Sequence, residues 1–260
     1  SLVAAGGLLA VSVVVEKWFK SNNGFGFVGS AKESTPRHWG AKAASLVHHV
    51  VVGLSSTYYL LKEYGTALYK VATGLDKSAA LFLVNKPSPA ATILADLSIG
   101  YMLYDMLVID TWETDVALMA AHHLFAITLW PISSNLGYYQ SWVLWFLSTE
   151  VSSIFLAFRW MLSESDRKRT PAYALNGLIF TGLFISIRVI PIPVWSLSYL
   201  LAPSPTEVHP GFTEVPRYAT WCGYACLIPL ALNAFWGYKV VIGFIKSANE
   251  FFSHDENPTK

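Results

Sequence analysis

The sequence predicts an all-α, polytopic transmembrane helical bundle of about seven spans. Three observations predict it. Charged residues make up 13% of the 260-residue chain and hydrophobic residues 53%, whereas a soluble domain usually carries about 25% charged residues. The mean hydropathy is positive. The apolar residues fall into segments near the roughly 20 residues that a spanning helix needs. Low charge, 17 Gly and 2 Cys rule out a disordered chain, a collagen-like fibre and a disulfide scaffold. A net charge of +1 leaves no electrostatic footprint for nucleic acid.

The first span is expected from Leu2 to Val15, extendable through Trp18 and Phe19. Its n-region is short and it has no clean small-residue cleavage site, which argues against a signal peptide. The chain starts at Ser1 without Met, so a segment ahead of it is expected to have been removed. Further spans are expected at Trp39–Leu61, Thr92–Ile109, Val116–Trp130 (closed by Pro131), Tyr138–Leu162, Ala172–Leu201 and Ala219–Ile245. Pro191 and Pro193 should break the sixth. Leu81–Val84 is too short to span and should be interfacial. The domain organisation is then a leading helix and loop over 1–35, a main domain over 36–247, and a polar tail over 248–260 that should fray after Phe252.

Loop charge sets orientation. If the spans alternate, Lys17, Lys20, Lys32, Arg37, Arg167-Lys168-Arg169, Lys246 and Lys260 collect on one side, outnumbering Lys62, Lys70, Lys77, Lys86 and Arg217 on the other. The C-terminus is therefore expected on the cytosolic side. Trp18, Trp39, Trp112, Trp130, Tyr138, Tyr139, Trp160 and Trp221 read as interfacial belts. Cys222 and Cys226 lie four apart on one helix face and read as small packing residues. No zinc-ligand spacing occurs, so no metal is expected. Gly24-Phe25-Gly26 lacks the strand and helix of a phosphate loop.

Ionisable residues inside apolar spans are costly and mark function by default. The third and fourth spans carry Asp96, Tyr101, Asp105, Asp110, Glu113, Asp115, His122 and His123. Tyr101 and Asp105, four apart, share a face, as do Asp115 and His122, seven apart; Asp96 points nearly opposite to Asp105. Adjacent His122 and His123 diverge by about 100°, so one can face the interior while the other packs on a neighbouring helix. Asp105 or Asp115 would fix a histidine tautomer. In the second span Lys42, Ser45, His49, Val52 and Ser56 form a stripe that should face other helices, with His48 beside it. Glu150 sits mid-span among Ser148, Thr149, Ser152 and Ser153. Arg188 is the expected cation for it. Ser141, Ser148 and Ser152 would allow close helix approach.

Asp96-x4-Tyr101-Met102-x2-Asp105 followed by Asp115-x3-Met119-x2-His122-His123 resembles the TLC-domain family, which includes ceramide synthases and translocation-associated membrane proteins. Lys42-x2-Ser45-x2-His48, Glu150-x-Ser152, Arg159-Trp160, Arg188 and Asn233-x2-Trp236-x2-Lys239 extend the resemblance over about residues 36–247. It implies a six-helix TLC barrel of two three-helix inverted repeats around an acyl-chain cavity, with Leu2–Phe19 as an extra helix. It implies catalytic roles for His122 and His123, supported by Asp105 and Asp115. It also implies lipid contacts from Tyr101, Asp96, His48, His49, Glu150, Ser152 and Arg188, and an endoplasmic reticulum address as the family default. Where ceramide synthases carry a His-Asp-x2-Asp segment, this chain has Thr149-Glu150. That resembles the TLC branch linked to membrane lipid composition, phospholipid acylation or lipid transport.

Two functions are expected from this pattern. One is acyl transfer from acyl-CoA, as acyl donor and with no other cofactor, to a lipid amine or hydroxyl. The other is non-catalytic binding, sensing or transport of an acyl lipid, or service as a lipid-filled subunit of a larger membrane complex. The expected partners are membrane lipids and other membrane-protein subunits. A seven-helix photoreceptor built on Lys239 is disfavoured, because Phe235 stands where the counter-ion Asp would be.

Overall fold

The computed structural model describes residues 2–21, 36–108 and 116–255, and all regular structure among them is helical. Its elements are α1 (Leu2–Ser21), α2 (Pro36–Gly74), α3 (Lys77–Asn85), α4 (Pro89–Val108), α5 (Val116–Leu136), α6 (Gln140–Ser148), α7 (Glu150–Glu164), α8 (Pro171–Phe184), a π-helical turn (Ile185–Val189), α9 (Ile192–Leu201) and α10 (Arg217–Asp255). Each of the seven expected spans becomes a helical rod, with α6–α7 and α8–π–α9 each making one bent rod. Gly24-Phe25-Gly26, Asp110, Trp112, Glu113 and Asp115 lie outside the described residues.

The chain is a polytopic membrane protein. By length and composition, Pro89–Val108, Gln140–Glu164, Pro171–Leu201 and Arg217–Ser247 can each cross a bilayer. Within the last two, only 17% of the apolar window is buried against protein. Leu175, Leu178, Trp221, Ile228 and Ile242 stand exposed along them. In water such faces would be a liability; in hydrocarbon they are the solvent-matched surface.

The central element is α2, which packs on α1, α3, α4, α6, α7 and α9. At 39 residues it is roughly 58 Å long at 1.5 Å per residue, well beyond the expected Trp39–Leu61. Two of its glycines permit close approach. A Cβ on Gly40 would meet Ser12 O of α1 at 2.5 Å, and one on Gly53 would meet Val151 N of α7 at 2.8 Å.

Bends follow from local chemistry. Ser148 Oγ donates to Trp145 O, Thr149 Oγ1 to Phe146 O and Ser152 Oγ to Thr149 O, each three residues back. These side-chain bonds compete with the helical ladder and separate α6 from α7 at Thr149. In the sixth span, Ile190 N bonds Ile185 O, five residues back. Pro191 has no N–H, so Ile187 O would lose its partner. The indole Nε1 of Trp145 donates to it at 3.0 Å. Trp145 stacks on Trp195, ring centroids 5.2 Å apart, beside Trp142, and all three are fully buried.

Three sequence expectations need correction and one gains detail. Pro131 does not close the fourth span; α5 continues through it to Leu136, because a transmembrane helix tolerates one missing bond when neighbours repair the freed groups. The segment containing Leu81–Val84 forms the short helix α3, which leaves Phe82 exposed and packs its other face into the protein. Leu83 and Val84 are fully buried, Ser141 Oγ donates to Leu83 O and Tyr139 N to Val84 O. Several belt aromatics are core residues. Trp39 and Trp130 are buried, Tyr138 stacks on His209 at 4.1 Å, and Tyr139 donates to Pro203 O; Trp18 and Trp221 stay exposed. The tail is helical as far as Asp255.

Candidate functional site

The polar residues singled out in the sequence converge where α2, α4, α5 and α7 meet. The α2 stripe faces inward as its spacing requires: Ser45, Val52 and Ser56 are buried. Tyr101 of α4 is the hub. His48 lies flat on it, with centroids 4.0 Å and planes 13° apart. His49 and His123 meet it edge-on at 5.9 and 6.2 Å. The Tyr101 hydroxyl is 3.1 Å from Ser45 Oγ and 3.4 Å from Asp105 Oδ1. One turn separates Tyr101 from Asp105, so both reach the same side of α4.

The histidine pair splits as adjacent helical residues must. His123 is 4% exposed and turns toward α4, with Nδ1 3.6 Å from Asp105 Oδ2. His122 turns toward α10, where Trp236 meets its ring edge-on at 5.8 Å. On α2, His48 Nε2 lies 3.1 Å from Ser98 Oγ of α4, and His49 Nδ1 lies 2.7 Å from Glu150 Oε2. Gly53, one turn after His49, allows α2 to come close enough to α7 for that contact.

Arg188 is not the hydrogen-bonded partner of Glu150. Its Nε donates to Ser152 Oγ at 3.0 Å, its Nη2 to Thr149 O and Ser153 Oγ at 3.0 Å each, and its Nη1 to Asn233 Oδ1 at 3.5 Å. The guanidinium serves the backbone and hydroxyls freed by the α6–α7 bend. Asp96 is exposed on the other side of α4 and does not join the cluster, as its half-turn offset from Asp105 requires. Lys42 lies over the Trp160 ring at 5.7 Å.

A small cleft opens beside this cluster. His122, Glu150, Arg188, Asn233 and Trp236 line its polar end. Phe125, Trp130 and Phe146 line it too, and also border a second pocket lined by Tyr139, Cys222 and Cys226. A polar and an apolar pocket therefore lie side by side, separated by shared aromatic rings. The aromatic lining was not picked out from sequence. Phe125 follows His122 by three residues and Leu129 by seven, so helical spacing from the histidine could have found both. Ser98, the partner of His48, precedes Tyr101 by three residues on α4 and could have been found by the same spacing. The described residues also bring His48, His49 and Glu150 close enough to hold one ion, with ligand atoms within 4.8 Å of one another.

Fold and site together define a polytopic helical membrane protein with a histidine-lined interior cleft. The TLC-domain profile matches residues 38–242, and the chain belongs to the TLC-domain family. It is 27% identical over 211 residues to TLC domain-containing protein 4 of Xenopus tropicalis, covering 80% of this chain and 75% of that one. It is 25% identical over 158 residues to TLC domain-containing protein 2 of Danio rerio, covering 58% and 57%. With human ceramide synthase 3 it shares 26% identity over 250 residues, which is 94% of this chain and 61% of the synthase. No solved structure matches.

Proposed function

We propose that the protein transfers an acyl group from acyl-CoA to a lipid amine or hydroxyl, with His122 at the reacting centre. The observation that supports this reading is the placement of His122 in a polar cleft that lies beside an apolar pocket lined by aromatic rings and Cys222 and Cys226. The acyl tail occupies the apolar side. His122 acts on the thioester carbonyl, either as the base that takes the acceptor's proton or as the nucleophile that forms an acyl-imidazole. In the second case the C–S bond breaks, CoA leaves as the thiol, and the acceptor then attacks the acyl-imidazole and returns the imidazole free. His123, held near Asp105 and against Tyr101, positions the α5 turn that carries His122. The family resemblance implies the endoplasmic reticulum membrane as the setting. The similarity to ceramide synthase 3 supports acyl chemistry.

Purified protein in lipid nanodiscs, given isotope-labelled acyl-CoA and a panel of sphingoid-base and lysophospholipid acceptors, tests this reading. Labelled lipid product is expected, with turnover reduced at least about 100-fold by His122→Ala, the range general-base removal commonly gives. Unchanged product in His122→Ala sinks it.

Thr149-Glu150 in place of a His-Asp segment favours a second reading, in which the same cleft holds an acyl lipid without turnover. Intact lipid released in native mass spectrometry, with no labelled product from any acceptor, selects it.

A further inference from the structure

We propose that His48, His49 and Glu150 form a binding site for one divalent transition-metal ion of the zinc class. The three side chains come from α2 and α7 and offer ligand atoms within 4.8 Å of one another. Each contributes a feature that shared coordination explains. His48 is 4% exposed, and its Nδ1 is buried with no hydrogen-bond partner. Its other nitrogen is engaged by Ser98 Oγ and its ring is clamped on Tyr101. This is the outer support that fixes tautomer and orientation in a metal-bound histidine. His49 Nδ1 and Glu150 Oε2 lie 2.7 Å apart as an ion-pair contact, which brings both donors to one point between α2 and α7. A metal ion there would take the place of the proton that the pair shares.

Charge points the same way. A carboxylate inside a membrane bundle requires a cation, and His49 supplies one only when protonated. Arg188, the cation expected from the sequence, spends its hydrogen bonds on Thr149, Ser152, Ser153 and Asn233. Two imidazoles and one carboxylate are a borderline-soft set that suits zinc, and three protein ligands leave a coordination position open. Glu150 also lines the cleft, so that position lies toward the space where a lipid head would sit. The site does not depend on the acyl-transfer reading, because metal content and turnover are measured separately.

The test uses the full chain, free of any histidine tag, in detergent. The protein is stripped with a chelator, reloaded with Zn²⁺, desalted and assayed by inductively coupled plasma mass spectrometry. About one zinc per chain is expected. Glu150→Gln and His48→Asn should each lower retained zinc at least fivefold, while His122→Ala should leave it unchanged. Zinc K-edge absorption on the unmodified protein supplies a readout that needs no variant to fold. It should show a shell of nitrogen and oxygen at about 2.0–2.1 Å, with scattering from two imidazoles. Negligible zinc after reloading, equal retention in Glu150→Gln and His48→Asn, or an oxygen-only shell would each overturn the proposal.

Discussion

Arg188 Nη2 donates to the carbonyl oxygen of Thr149 at 3.0 Å, so the cation in the sixth span closes the helix bend in the fifth. The bend exists because Ser148, Thr149 and Ser152 spend their hydroxyls on carbonyls three residues back. Replacing Arg188 by Leu leaves two hydroxyls and a carbonyl to find new partners in a buried setting. Hydrogen bonds to a charged group are worth about 1.5–3 kcal/mol each. A loss of roughly 3 kcal/mol is therefore expected, seen as a lower melting temperature in detergent by tryptophan fluorescence. Arg188→Lys should recover part of it, since an ammonium cannot reproduce the guanidinium fork.

Gly53 sets the spacing between α2 and α7. A methyl group there would sit 2.8 Å from Val151 N, a backbone atom that cannot step aside alone. Gly53→Ala should cost about 1–3 kcal/mol, the usual range for overpacking, and should part His49 from Glu150. Cysteine cross-linking between α2 and α7 would report the separation: equal cross-linking yields in the two backgrounds would show that the helices did not move.

Cys222 and Cys226 line the apolar pocket. Cys226→Trp should fill much of that space and shorten the acyl chain the protein accepts. The expected outcome is loss of long-chain ligands from co-purified lipid, with shorter chains retained. Mass spectrometry of extracted lipids checks it, and an unchanged chain-length distribution would place the tail elsewhere.

Asp76, in the connection between α2 and α3, caps α3 by accepting from Ser78 Oγ, Ser78 N and Ala79 N. The Ser78 hydroxyl and then the Ala79 amide hold its carboxyl below the ordinary 3.8. A depressed folded value stabilises the fold above the unfolded value, and the contribution disappears as pH falls through the folded one. The melting difference between the unmodified protein and Asp76→Ala should be constant near neutral pH and shrink below about pH 4. A difference that grows on acidification would contradict the cap.

The sequence by itself determined the class and the inventory. Low charge and long apolar segments decide for hydrocarbon as solvent, and a helix is what a single segment can form there with every peptide group bonded to itself. Period 3.6 determined which partners share a face: Tyr101 with Asp105, Ser45 with His49, and the divergence of His122 from His123. Asp96 shows the same rule in reverse, since a half-turn offset sends it away from the cluster.

Tertiary structure decided who meets whom between helices. Glu150 and Arg188 look like an ion pair when only residue types are known. Yet Arg188 answers to the Thr149 carbonyl at a bend and to the hydroxyls around it, and Glu150 answers to His49 because Gly53 lets two backbones approach. Pro131 stays inside α5, whereas Pro191 frees a carbonyl that Trp145 takes from another helix. Such outcomes depend on distances between segments far apart in sequence, which periodicity along one helix does not encode. The cleft belongs to the same category, since empty space is a property of how helices fail to touch.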